Sequence, residues 1–177
     1  MSTTPGAGAD PGGTNPPLWL PVPALLHSVY EEGPFRACTV CRQSLDDGRF
    51  YQVAKKFEGK ETILEMAICM TCAAGTSSEF SERSMSRLQR FYTQELKPTE
   101  SPHACHACRT PRDVARGYEV AGICTRGHIV APVLAICASC SERVMADLSK
   151  KTRDRYGEFF HDNFPGLPKE LDLVPLI

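Results

Sequence analysis

Eight of the nine cysteines stand in four Cys-x-x-C pairs: Cys38 with Cys41, Cys69 with Cys72, Cys105 with Cys108, and Cys137 with Cys140. Between Cys41 and Cys69 lie 27 residues, and between Cys108 and Cys137 lie 28, so the spacing itself repeats. Thiolates are soft ligands, and two pairs of this kind make a tetrahedral four-sulfur zinc site. The expectation is two Zn2+ ions per chain, site 1 on Cys38, Cys41, Cys69 and Cys72, and site 2 on Cys105, Cys108, Cys137 and Cys140. Thioredoxin-type redox chemistry would place one such pair at a helix start in a βαβ setting, and an iron-sulfur cluster is the remaining use of four thiols. Two matched sets fit zinc best.

The repetition extends beyond the cysteines. At an offset of 67, Ala37-Cys38 falls on Ala104-Cys105, Arg49 on Arg116, Tyr51 on Tyr118, and Val53-Ala54 on Val120-Ala121. At an offset of 68, Ala67-Ile68-Cys69 falls on Ala135-Ile136-Cys137, and Phe80, Leu88, Phe91 and Tyr92 fall on Leu148, Tyr156, Phe159 and Phe160. The pattern implies an internal duplication with one residue inserted, expected near Gly59 and Gly127, where a turn tolerates it. Each unit has about 60 residues, a size at which an apolar core alone is marginal and a metal supplies the shortfall. Structural zinc in small fingers is worth roughly 10 to 16 kcal/mol, so the metal-free chain is expected to be largely unfolded.

The elements that must position the thiols follow from the pattern around them. Arg49 to Phe57 and Glu61 to Ile68 are rich in β-branched, aromatic and apolar residues and flank Glu58-Gly59-Lys60, a hairpin signal. Thr76 to Glu79 has the form of a capping box before a helical pattern at Phe80, Leu88, Phe91 and Tyr92. In the second unit one helix is expected from about Ser139 to Phe160. The fold class is therefore small α+β, metal-stabilised, with two duplicated units of knuckle, β-hairpin, knuckle and helix. That order resembles the treble-clef zinc finger over roughly Cys38 to Tyr92 and Cys105 to Phe160. The resemblance implies a first Cys-x-x-C on a turn and a second opening a helix, whose free amides stabilise thiolates. Arg36, Arg42 and Arg109 are candidates to offset the charge, or ordinary solvated side chains. Cross-bracing, as in modules resembling RING fingers, would join the first pair to the third. A copied unit carrying all four ligands is instead expected to hold its own metal and fold as its own unit.

The organisation expected is a disordered tail over 1–17, an apolar segment with a short helix over 18–32, the first finger over 33–93, and a linker over 94–102. The second finger follows over 103–161, then an apolar tail over 162–177. Leu18 to Tyr30, with the only Trp at position 19, is expected to pack on the first finger, with partner docking as the alternative. The tail, with Leu171, Leu173, Val174, Leu176 and Ile177, is expected to fold back on the protein. Cys124 aligns with Phe57 and is expected to be a small buried hydrophobe, against a reactive thiol or extra ligand. His103, His106 and His128 align with Arg36, Thr39 and Lys60, and surface positions are expected for them, with an accessory site around Cys124 and His128 the alternative.

Catalysis is not expected. There is no His-Glu-x-x-His, Gly-rich phosphate loop or Gly-x-Ser-x-Gly elbow, and Cys140-Ser141-Glu142 lacks the Pro-Cys-x-x-Cys of zinc deaminases. A protein-interaction or scaffold role is the leading expectation, with another protein as partner. Nucleic-acid binding comes second: Cys105 to Arg155 holds nine Lys/Arg against five Asp/Glu, with Lys150, Lys151, Arg153 and Arg155 close together, but the whole chain carries a formal charge of -1. A thiol-based redox or zinc-release switch is third. No basic region followed by an apolar stretch opens the chain, and the longest nearly apolar run, Ile129 to Ala138, is roughly half of what spans a bilayer. A cytoplasmic protein without membrane contact is expected, where reduced thiols favour metal over disulfides.

Overall fold

The computed structural model describes residues 20–97, 101–167 and 173–177. The expected disordered tail over 1–17, Leu18, Trp19, part of the linker and Leu171 lie outside these residues.

Each half forms an antiparallel hairpin, because alternating apolar residues meet a two-residue turn. In the first half β2 (Tyr51–Glu58) returns as β3 (Glu61–Cys69), and in the second β4 (Gly117–Thr125) returns as β5 (His128–Ile129) and β6 (Leu134–Cys137). The turns occupy equivalent places. Gly59 is left-handed at φ 57°, and Arg126 and Gly127 are both left-handed at 45° and 72°, the type I′ requirement that matches strand twist. The extra residue of the second half is therefore not at the turn. It lies in the break between β5 and β6, where Pro132 has no N–H to give to a ladder; the first half instead has a register shift between Lys56 and Phe57.

The two hairpins form one sheet. β2 and β4 pair antiparallel from Tyr51 opposite Cys124 to Glu58 opposite Gly117, and Ala54 faces Ala121, its own equivalent at offset 67. Equivalent residues meeting at the centre of a pairing is the arrangement of an isologous dimer, here made within one chain. Full pairing of the two inner edges also removes two aggregation-prone strand edges. The expectation of separately folding fingers does not describe this architecture, since the central strand pair belongs to both.

Helices cover one face. α1 (Met70–Ser77) and α2 (Glu82–Arg90), continued by a π-helical turn Phe91–Glu95, belong to the first half; α3 (Ala138–Asp147) and α4 (Lys150–Asn163) belong to the second. The single helix expected from Ser139 to Phe160 is two, broken where Leu148 is extended and Ser149 caps α4 by accepting from the Thr152 N–H. Likewise the cap of α2 is Ser81, accepting from Ser84 N, rather than Thr76. Thr76 lies inside α1 and donates to the Cys72 carbonyl. Gln94 and Glu95, expected to open the linker, belong to the π-helical turn, and Glu95 pairs with Arg87 and Arg143.

The two caps meet each other. Ser81 N–H donates to Thr152 Oγ1 at 3.0 Å and Ser149 N–H donates to Ser84 Oγ at 2.9 Å, while the Ser81 and Ser149 hydroxyls lie 2.8 Å apart. Ser84 and Thr152 are fully buried, so this reciprocal polar knot satisfies orphan helix amides that water cannot reach.

The other face of the sheet is covered by the N-terminal segment. Among its described residues β1 (Leu20–Pro21) pairs with β5, and the short helix is a single 3-10 turn, Ala24–Leu26, with Pro23 at its N-cap. The segment thus joins the hairpin of the second half rather than packing on the first finger alone. Leu26 fills the space above Gly122, where a Cβ would lie 2.6 Å from the Leu26 Cδ1. A buried ion pair anchors the stretch from His27 to Val29: Lys55 Nζ lies 3.1 Å from Glu65 and donates to the His27 carbonyl, while the Glu65 carboxylate accepts from Ser28 Oγ and Val29 N. The C-terminal tail folds back on the helix side, with Leu173 and Val174 buried and Tyr92 Oη donating to the Pro175 carbonyl.

Candidate metal centres

Each first pair sits on a tight turn built the same way in both halves. Arg42 N–H donates to the Cys38 carbonyl and Cys38 N–H to that of Gln43; Arg109 and Cys105 do the same with Cys105 and Thr110. Arg42 and Arg109 hold the left-handed backbone the turn needs, at φ 61° and 67°. Their contribution to the turn is through the main chain. The second pair opens a helix: Cys69 and Cys137 are the N-caps of α1 and α3, so Cys72 and Cys140 fall in the first turn.

A hydrogen bond fixes each turn against the strand behind it. Thr39 N–H donates to the Ala67 carbonyl, and Ala67 N–H returns to Thr39 Oγ1 at 3.1 Å. In the second half His106 takes the place of Thr39, with Ala135 N–H donating to His106 Nδ1 at 3.1 Å. His106 is therefore buried, at 2% exposure, and not a surface residue.

These elements bring the eight thiols into two groups of four, each drawn from one half. Cys38, Cys41, Cys69 and Cys72 form one and Cys105, Cys108, Cys137 and Cys140 the other, with all sulfurs of a group within 4.8 Å. A tetrahedron with zinc-sulfur bonds near 2.3 Å has edges of about 3.8 Å. The Cys41–Cys69 and Cys108–Cys137 sulfurs lie 3.9 and 3.6 Å apart. Both groups therefore have the dimensions and the donor set that a divalent soft-ligand metal requires. Neither is cross-braced between the halves.

The surroundings are graded. Burial pushes the Cys38 thiol up, but N–H groups of Cys41, Cys69 and Val40 outweigh it and bring it to about 7. Burial also opposes ionisation at Cys108, but Thr110 and the neighbouring thiols bring it to about 6. Cys72 and Cys140 are pushed well up, chiefly by burial and then by the neighbouring thiols. A group in which thiolates repel and raise one another is one that a cation would hold together.

Sequence reasoning did not single out Arg49 and Arg116. The guanidinium of Arg49, held by Asp47, feels the Cys69 and Cys41 thiolates, and its equivalent Arg116 pairs with Glu142 beside the second group. The signal was present, because Arg49 and Arg116 are among the residues that match at offset 67. Arg36 donates its main-chain N–H to Glu31.

Cys124 joins neither group. It is completely buried opposite Tyr51 and Ile129, and burial pushes its thiol up to about 12. His128, half-buried on β5, and exposed His103 are likewise outside the metal-ligand geometry found among the described residues. The basic cluster on α4 is largely neutralised: Lys150 pairs with Asp154, Arg155 with Glu79 and Glu158, and Arg153 donates to the carbonyls of Ala146 and Leu148. No helix among the described residues is long and apolar enough to cross a membrane. Comparison with protein-family models, with curated proteins and with solved structures finds no match.

Proposed function

We propose that the protein is a non-enzymatic interaction or scaffold module, built from two duplicated treble-clef-like units, each holding one structural Zn2+. The observation that carries this reading is the pair of closed four-sulfur groups, each assembled within one half from a turn and a helix start. When bound, zinc would fix turn, hairpin and helix in each half and, with four thiolates, keep no open position for a substrate. The protein's own residues do the rest: the knuckle amides stabilise the thiolates and Arg49 offsets part of the charge of the first group.

Partner binding draws support from the surface. Tyr30 is 89% and Val29 58% exposed on a loop that Ser28 and Glu65 hold rigid, and Phe50 and Met70 are exposed beside the first thiol group. Apolar side chains held out on ordered backbone are characteristic of recognition surfaces. Nucleic-acid binding is disfavoured because the formal charge of the whole chain is -1 and two of the four cations clustered on α4, Lys150 and Arg155, are ion-paired. Retention of the zinc-loaded protein on heparin and nonspecific duplex DNA separates the two. Little retention at low salt is expected; strong retention that falls steeply with salt would overturn the protein-interaction reading.

A further inference from the structure

The pseudo-twofold relation between the halves makes their differences informative. On the helix side of β4, Glu119, Ala121, Leu134 and Ile136 form a groove, and the chain's own Leu173 and Val174, both buried, lie against it. The Glu119 carboxylate accepts the Val174 N–H at 3.1 Å and the Ser141 hydroxyl. The equivalent positions in the first half are Gln52, Ala54, Met66, Ile68 and, for Ser141, Ala73. Those residues line a narrow cleft with about 30 Å3 of interior space and an open mouth, walled on the far side by Phe80 and by Tyr156 of α4, whose rings meet edge to face at 5.8 Å. Buried Pro175 and half-buried Leu176 of the tail line one side of this cleft, but among the described residues no backbone N–H bonds to Gln52 as that of Val174 bonds to Glu119.

Gln52 gives the cleft its polarity. It is 92% buried, since its exposure is 8%, and its side chain has no hydrogen-bond partner among the described residues. Glu119 can only accept, and its partners are in place. An amide both donates and accepts, so Gln52 can pair with an N–H and a C=O of an extended backbone together. The amide is not among the buried polar atoms left without a partner, so it meets solvent at the cleft, and a ligand that pairs with it takes the place of water.

Building on the protein-interaction reading, we propose that this cleft docks an extended, uncharged apolar segment of a partner protein. The segment lies on the first half as Leu173–Val174 lie on the second, its backbone bonded to the Gln52 amide and one aliphatic side chain set against Phe80 and Tyr156. The mode is peptide recognition by main-chain hydrogen bonds with a side-chain pocket for specificity. The narrow interior suits one side chain at a time, and among the described residues no charged side chain lines it.

The test is an NMR titration of the zinc-loaded full chain with the capped peptide Leu-Val-Pro-Leu-Ile, the sequence of this chain's own tail. Shifts are expected at the Gln52 side-chain amide, Ala54 and Ala73. Gln52→Leu should weaken binding about fivefold to tenfold, the effect of one buried hydrogen bond. Ala73→Trp should block the mouth, and its own spectrum reports whether it folds. Shifts confined to Glu119, Leu134 and Ile136 would mean competition with the tail and would overturn the proposal, as would no shift at millimolar peptide. Shifts at Gln52 that appear on concentrating the protein alone would make a second copy the occupant and refute the choice of a separate partner. Peptide shifts clustered at Phe50 and Met70 would sink the cleft but leave the interaction reading standing. If duplex DNA shifts the spectrum and the peptide does not, the interaction reading itself fails.

Discussion

Replacing Ser81 by alanine removes the cap bond from Ser84 N–H, 3.2 Å long, and the 2.8 Å contact with the Ser149 hydroxyl at the pseudo-twofold axis, together with longer hydroxyl contacts to Ser84 and Thr152. A lost N-cap costs about 1 kcal/mol, and a lost buried hydroxyl bond about 1 more, so Ser81→Ala should destabilise by about 2 kcal/mol. Ser149→Ala removes the cap bond from Thr152 N–H and the same hydroxyl contact, and should cost about the same. The hydroxyl bond between them can be lost only once. The double variant should therefore cost about 3 kcal/mol rather than 4, a coupling of about 1 kcal/mol between positions 68 residues apart in the chain. Each single change should lower the melting temperature by about 4 to 8 °C in a chain of this length. Urea unfolding of the zinc-loaded proteins gives the energies, and hydrogen exchange shows where protection is lost. Costs that add within about 0.3 kcal/mol, with protection falling only in the half that carries the change, would refute the idea that the two caps act as one unit.

Three further changes test other parts of the fold. Gly122→Val puts a side chain where Leu26 Cδ1 would be 2.6 Å and Ile129 Cδ1 3.2 Å from the new Cβ, and should cost about 1 to 3 kcal/mol in urea. Unchanged stability would mean that Leu26 is not seated there. Lys55→Met leaves the Glu65 carboxylate buried without its ion pair and should cost about 3 to 5 kcal/mol, most of it recovered in the Lys55→Met, Glu65→Leu double variant. If the double is no better than the single, the cost does not come from the unpaired charge. Cys124 is protonated in the folded state up to about 12 against an ordinary 9.0, so its contribution is full below 9.0 and drains as pH rises between the two. Cys124→Ala should thus lose less stability than the parent over that alkaline window, and the native thiol should resist iodoacetamide at neutral pH; rapid alkylation there would contradict its burial.

The thiol groups and hairpins were legible because spacing and alternation encode them locally. Cys-x-x-C specifies a turn, and Arg49 to Glu65 alternates about a glycine turn, whatever the rest of the chain does. The joining of β2 to β4 was not legible, since edge pairing is decided between elements and leaves no local period. Its trace is the Ala54–Ala121 match, which acquires meaning only once the two are seen face to face. The helix break at Leu148 was readable in principle: Ser149-x-x-Thr152 repeats Ser81-x-x-Ser84, but the apolar period runs through both helices and masked it. Gly122 within a strand marked a close approach, and Leu26 is what approaches. A surface position is expected for His106 because its equivalent is a threonine. What the position demands is an acceptor for the Ala135 amide, and both side chains supply it.

Native mass spectrometry with elemental analysis tests the central claim most directly. The parent chain should carry two zinc ions and Cys72→Ser or Cys140→Ser one each, because each group of four sulfurs comes from a single half. Loss of either ion should also lower hydrogen-exchange protection at the β2–β4 seam, which both halves share. A metal-free parent with cysteines joined as disulfides, bound iron in place of zinc, or loss of both ions from one cysteine substitution would contradict the account.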